Sequence, residues 1–465
     1  MRTLTRKKAA VDLLHGPILK SMLTFAIPLL FSGIFQQLYN TMDTVIIGHT
    51  LGDEALAAMG AAAAIFDLLT GFALGIGNGL AIVTARSFGS GDKEQLKRSV
   101  AASLVIGVVI TAVITIAVRF ILYPFLEILH TPPEIIGESY AYISTITLFI
   151  GVMFAYNLCA GLLRAIGNSV MPLVFLILSS LLNILLDLFF ITQLHMGVRG
   201  AAVATVIAQA VSVAACLVYI GKRNKMLIPK RKHFVWDKNL YQEMLAQGLA
   251  MALMSSIVNA GTAVLQSGIN GLGYLVIAGH VAARKLFSLL MMPYIAVSQT
   301  LSTFVAQNYG AGQMGRIRRA VKISYLCGAV LTTTVTVFTL PLAPLMVRLL
   351  SGSSEAVVIE NGALYLRVVA PCLMILSFLG PTRFALQCIG NKILPVISSV
   401  IELIGKYLFV LLLIPRFQYM AVIFCEPVIW LFMDMELLWA FWRNPKVLAG
   451  RQEEKELETK AAEGG

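Results

Sequence analysis

Apolar stretches of about 20 residues recur from one end of this chain to the other, and no other feature narrows its fold so far. A helix needs roughly 20 residues to cross the hydrocarbon of a bilayer. About twelve such stretches can be read, at 18–45, 55–82, 99–120, 138–161, 170–192, 199–220, 244–268, 275–304, 321–343, 361–386, 393–414 and 419–442. Only 13% of the 465 residues are charged, against about 25% in an ordinary soluble domain. The expected fold is therefore an all-α integral membrane protein with about twelve transmembrane helices.

The chain also repeats itself. "ARSFGSGDKEQLKRSV" (Ala85–Val100) aligns with "AQNYGAGQMGRIRRAV" (Ala306–Val321), and "AIGNSVMP" (Ala165–Pro172) with "CIGNKILP" (Cys388–Pro395). The offsets are 221 and 223 positions, and the anchors keep their order. Repetition at a fixed period marks a duplicated structural unit. We expect residues 1–17 as a cytoplasmic amphipathic segment lying as an interfacial helix, 18–220 and 244–442 as six-helix lobes, 221–243 as a basic cytoplasmic linker, and 443–465 as a charged cytoplasmic tail. An even number of spans per repeat inserts both lobes in the same orientation. A pseudo-twofold axis along the membrane normal follows, as in parallel-repeat transporters.

The formal net charge of +12 does not point to nucleic acid. Lys and Arg collect in the N-terminal segment, in 86–98, in 222–238, in 316–322 and after Trp442, all on one side of the expected spans. The opposite loops hold chiefly Arg119, Arg199, Arg348 and Arg416. Such asymmetry orients membrane proteins with the basic side inside, so a multi-pass protein of the plasma (inner) membrane with both termini cytoplasmic is expected. The six cysteines form no CxxC pair and read as buried free thiols. "LGIGNGL" (Leu74–Leu80) follows an apolar helix rather than a strand, so close helix packing explains its glycines better than a dinucleotide site does.

The feature that bears on function is "NILLDLFF" (Asn183–Phe190), an amide and a carboxylate four residues apart inside a run otherwise apolar. That spacing puts both on one helix face. A carboxylate in hydrocarbon costs about 2.5 kcal/mol or more, so one retained there marks a binding or titrating site. Asp43, in "NTMDTV" of the first span, is a second, and Thr205 in the sixth span offers a hydroxyl oxygen. The set suits Na⁺, or two carboxyl groups sharing a proton.

From Leu14 to Trp442 the sequence resembles the multidrug and toxic-compound extrusion (MATE) family. The resemblance is carried by "NTMDTVIIGHTLGDEALAAMG", by the paired "FGSGD" and "YGAGQ" loops, and by the paired "IGN" turns. It implies cation-coupled export without a cofactor, H⁺ or Na⁺ entering as an organic compound leaves. One branch of the family holds its cation with an aspartate in the first span, an Asn-x-x-x-Asp pair in the fifth, a threonine in the sixth and a tyrosine in the fourth. On this chain these fall on Asp43, Asn183, Asp187 and Thr205, with Tyr142, ahead of Tyr140, for the tyrosine. Another branch carries carboxylates in the seventh and tenth spans, and here there are none.

The second half instead holds cations. Lys406 stands where the first half has Asn183, and Glu402 lies one helical turn before it, so the two either neutralise each other or face the cavity. Candidate cavity residues are Arg284, Lys406, Glu402, Met254, Met291, Phe287 and Tyr156, the methionines because Met-rich walls adapt to varied ligands. The resulting expectation is a transporter and not an enzyme, monomeric and lipid-embedded, with a small organic substrate, working by rocking of its lobes. The alternatives are a lipid-linked precursor flippase of the same superfamily and an integral membrane enzyme. The latter lacks the aspartate-rich metal motif it would need.

Overall fold

The computed structural model of the protein describes residues 10–128 and 131–455. Among these the regular elements are helical. In order they are α1 Ile18–Gly89, α2 Lys93–Ile128, α3 Pro133–Leu148, α4 Ile150–Ala165, α5 Val170–Leu188 and α6 Gly197–Arg223, followed by α7 Lys238–Asn270, α8 Tyr274–Leu290, α9 Met292–Gly310, α10 Met314–Ser351, α11 Ala356–Cys388, α12 Ile393–Leu408, α13 Ile414–Trp442 and the short α14 Pro445–Ala449.

Nine helical segments among the described residues are long and apolar enough to cross a bilayer, and two bent pairs, α3–α4 (50°) and α8–α9 (43°), make eleven. One of the nine, Ile393–Trp442, is in fact two crossings. Gln418 interrupts it at φ 48°, and Glu426 beyond the break comes back to 3.7 Å from Lys406. A straight helix would hold those residues about 30 Å apart. Likewise α1 breaks at Gly52 (φ 84°), dividing Ile18–Gly52 from Ile65–Gly89. Among the described residues the fold is all-α with twelve crossings, as the apolar runs imply.

The chain forms two compact units, the first built on Phe31–Ala252 and the second on Asp12–Leu30 and Leu253 onward. In the first, Leu80, Leu96, Phe154, Leu163 and Met244 share one core cluster, and Ile47, Leu126, Tyr142, Ile143 and Ala202 another. Glycine permits the closest approach there. A Cβ on Gly75 would stand 2.5 Å from the Ala252 Cα, and one on Gly79 2.6 Å from the Gln247 carbonyl oxygen. The GxGxG run is thus a packing surface. In the second unit Leu301, Phe304, Val321, Leu386, Leu437 and Phe441 are buried. Val108, Phe120, Leu349 and Phe432 are exposed on crossing helices, as residues facing acyl chains should be.

The duplication is written into the backbone more plainly than into the side chains. Positive φ occurs at Gly52 and Gly273, at Gly91 and Gly312 (each pair 221 apart), at Gly167 and Gly390, and at His195 and Gln418 (each pair 223 apart). Gly91 and Gly312 close the "FGSG" and "YGAG" motifs in the left-handed conformation that glycine adopts without strain. A five-residue π-helix precedes each non-glycine turn, Phe189–Gln193 in one half and Phe409–Leu413 in the other.

Some expectations need correction. Residues 1–9 lie outside the described residues, but 10–17 do not form the amphipathic helix expected of the N-terminal segment. They bend instead. The Asp12 carboxylate accepts from the Leu14 and His15 amides at 2.9 and 3.0 Å, and Arg316 donates to the Gly16 carbonyl at 2.9 Å. An Asx turn of this kind competes with helix locally. The linker holds two short 3₁₀ turns, Lys225–Leu227 and Arg231–His233. All six cysteines are free, but Cys327 and Cys372 are only half-buried.

Candidate functional site: a buried carboxyl cluster

Four helices of the first unit place polar side chains in one spot. Asn183 and Asp187, a turn apart on α5, are both fully buried at 0% exposure. Opposite them α6 supplies Thr205, α3 supplies Tyr142, and the first part of α1 supplies Asp43. Asp43, Asp187 and Tyr142 lie within electrostatic range of one another, so the five residues singled out in the sequence converge. The structure adds Tyr39, one helical turn before Asp43, whose hydroxyl donates to Thr205 Oγ1 at 3.1 Å. The i, i+4 spacing to Asp43 was the available signal, and an isolated tyrosine in an apolar span hid it.

The hydrogen bonds leave the cluster rich in acceptors and short of donors. Thr205 Oγ1 also accepts from Asn183 Nδ2 at 3.4 Å. Both lone pairs of that hydroxyl are therefore used, leaving only its proton to give. By contrast Asp187 Oδ1 and Oδ2, Asp43 Oδ1 and Asn183 Oδ1 are buried with no donor. Leaving a buried polar atom unmade costs about 1–3 kcal/mol, more when it is charged. Four such oxygens at one place can take up a proton or a cation.

The second unit treats its charges the opposite way. Arg284 on α8 donates to Glu426 Oε2 at 2.6 Å and to the Tyr365 hydroxyl at 3.1 Å. Lys406 on α12 donates to Glu402 Oε1 at 2.8 Å, approaches Thr262 Oγ1 at 3.4 Å, and lies 3.7 Å from Glu426 Oε1. Two cations and two carboxylates thus neutralise one another. Phe287 lies under the Arg284 guanidinium at 5.4 Å and stacks on Trp430, while His280 meets the Tyr419 hydroxyl at 3.3 Å. Arg284, Lys406, Glu402 and Phe287 belong to this network. Met254 is buried with its sulfur against Gln387, Met291 is half-buried at the end of α8, and Tyr156 is in the first unit, donating to the Pro172 carbonyl at 3.4 Å.

Sequence reasoning missed Glu426 altogether. It sits in the last apolar run, and the argument that singled out Asp187 applied to it equally. Asp434 in the same helix is also buried, with Oδ1 unpartnered.

Comparison with known proteins agrees with both the fold and the repeat. The MatE family model matches residues 28–189 and matches again at 250–412. The chain belongs to the MatE family, and so is a multi-pass membrane transporter and not an enzyme. "Probable multidrug resistance protein YoeA" of Bacillus subtilis (strain 168) is 27% identical over 332 residues, 69% of this chain and 71% of its own length. The "FAD transporter" of Shewanella oneidensis is 26% identical over 376 residues, covering 77% and 80%. Among solved structures, a MOP superfamily transporter from Pyrococcus furiosus, described as having a binding pocket of reverse polarity, superposes with a TM-score of 0.84 at 22% identity, covering 97% of this chain and 99% of its own.

Proposed function

We propose that this protein exports drug-like or amphipathic organic compounds in exchange for H⁺ or Na⁺, with the ion bound at Asp43, Asn183, Asp187, Thr205 and Tyr142. The supporting observation is the group of four buried oxygens without donors. Of the two ions, the proton fits better. Thr205 already accepts from Tyr39 and Asn183 and serves to hold the cluster together, and one proton shared by Asp43 and Asp187 removes one of two neighbouring like charges. Binding the ion drives transport only through a difference in affinity between inward- and outward-open states. A carboxyl pair that closes when protonated and parts when ionised supplies such a difference.

The names of several relatives support a drug-like substrate. The pairing of Arg284 and Lys406 with carboxylates weighs against a lipid-linked precursor flippase, whose anionic substrate would need free cations. We place the protein in the plasma membrane with both termini cytoplasmic, a reading supported by the Lys/Arg asymmetry and checked by reporters fused after Lys225 and Leu448. The deciding experiment is efflux from liposomes under separately imposed proton and sodium gradients. Transport driven by the proton gradient alone is expected, and transport driven by neither overturns the proposal.

A further inference from the structure

A cavity of about 740 Å³ lies in the first unit, where the last turns of α2 meet α3 and the start of α6. That volume is in the range of small-ligand sites. Its wall is apolar and hydroxylated except for two arginines, Arg119 of α2 and Arg199 of α6. Phe120, Leu148 and Ile116 line it and are 75%, 64% and 61% exposed. On a crossing helix such side chains meet acyl chains.

The arginines are set up to meet an anion. Arg119 donates to the Tyr140 hydroxyl, and the Tyr140 ring is held edge-on by Tyr123 at 5.8 Å. Arg199 stands in the first turn of α6, whose N-cap Met196 offers no capping side chain. The open N–H groups and helix dipole there add positive potential. Among the described residues neither arginine forms an ion pair. Arg284 and Arg318, in contrast, each hold a carboxylate. Both arginines stand at the ends of their helices opposite the basic clusters, hence in the outer leaflet in the topology proposed above.

We propose that this groove binds the head group of an anionic phospholipid, with the phosphate between Arg119 and Arg199 and an acyl chain along Ile116, Phe120 and Leu148. The charge of the wall selects the head group. Its continuity with exposed apolar side chains selects a lipid over a soluble anion. The site is separate from the carboxyl cluster, so it stands or falls independently of the transport proposal.

The test is native mass spectrometry of the full chain in a neutral detergent, supplied with phosphatidylglycerol or with phosphatidylcholine of the same acyl chains. Phosphatidylglycerol is expected to stay bound and phosphatidylcholine to leave. Each arginine replaced by Gln should weaken retention about fivefold, equivalent to about 1 kcal/mol, whereas Arg119→Lys with Arg199→Lys should keep the lipid. Equal retention of the two lipids by the parent protein, or undiminished phosphatidylglycerol binding by the monodisperse Arg119→Gln, Arg199→Gln variant, overturns the site. Displacement by millimolar glycerol 3-phosphate overturns the lipid as occupant and makes the groove a site for soluble phosphates.

Discussion

The two halves of this protein share turns to the residue and share almost none of their buried chemistry. Gly52 and Gly273, Gly167 and Gly390, and His195 and Gln418 take the same backbone conformation in each half. Yet the first unit buries two carboxyl groups and an amide with unanswered oxygens, while the second buries Arg284, Lys406, Glu402 and Glu426 as a closed network. The difference lies in what each can accept. An unanswered carboxyl pair gains by taking up a cation. A neutralised network must break an ion pair before it can bind anything, and breaking a buried pair costs several kcal/mol. Duplication has preserved the scaffold, and divergence at matching positions, Asn183 against Lys406, has left one half with open oxygens and the other with a closed network, which under the proposal above divides ion uptake from rigidity.

The sharpest way to break this comparison is to remove one charge from each half. Asp187→Asn keeps the shape and removes the carboxyl group proposed to bind the proton, so gradient-driven efflux should fall about 10- to 100-fold with the thermal midpoint unchanged or raised. Full activity in both Asp187→Asn and Asp43→Asn, at matched incorporation into liposomes, would move the ion site elsewhere. Asn183→Leu leaves both carboxyl groups and should cost less.

In the second half the same operation should show up as instability. Glu426→Ala strands Arg284 and leaves Lys406 with Glu402 alone. A stranded buried charge costs about 3–5 kcal/mol, and because the Arg284 side chain is 30% exposed we expect about 2–3 kcal/mol. Replacing Glu402 and Lys406 together, by Leu and Met, removes a pair without stranding either member and should change stability by less than about 1.5 kcal/mol. Denaturant titration in detergent reads both. If Glu426→Ala abolishes coupling while the fold holds, the second network is functional after all and the division of labour fails.

Much of this was legible in the sequence because membrane helices obey few rules. The apolar runs mark the crossings, and the paired glycine motifs mark the duplication. Asp43, Asn183 and Asp187 were legible because a polar residue in hydrocarbon stands out. Of the pairings, only Glu402 with Lys406, one turn apart, could be read there. Whether Lys406 faced Glu402, Glu426 or an open cavity depends on how α12 folds back on α13 at Gln418, and a lone glutamine announces no turn. Tyr39 was hidden because tyrosine is at home in apolar spans, and Glu426 because its partners come from helices far away in sequence. The N-terminal bend was missed because amphipathic periodicity does not register an aspartate that captures its own backbone.

The finest contrast is in how each unit ties down the segment that follows it. In the first, Glu94 at the start of α2 holds Lys232 at 3.1 Å and His233 at 3.0 Å from the linker. In the second, Arg318 and Lys322 at the start of α10 hold Glu454 of the tail, each at 2.7 Å. The latch is the same and its polarity is reversed. Arg318 also donates to the Val447 carbonyl at 3.0 Å and covers the Trp442 ring, so the tail is fixed at several points and the charge contributes only part. Burial pushes the Glu454 carboxyl up, but Lys322 and Arg318 outweigh it and hold the group below the usual range. A depressed value in the docked state means that docking gains stability above the ordinary glutamate value of about 4.3. That gain is lost as pH falls through the docked value. With Lys322 half exposed the contribution is about 0.5–1 kcal/mol. Amide exchange at Val447 and Glu454 should therefore be slow at pH 7 and quicken as the pH drops below about 4, after correction for the intrinsic rate. Glu454→Gln should flatten that dependence and leave transport intact. A tail equally protected in Glu454→Gln at pH 7 would mean that Val447 and Trp442, not the reversed charges, hold the second latch.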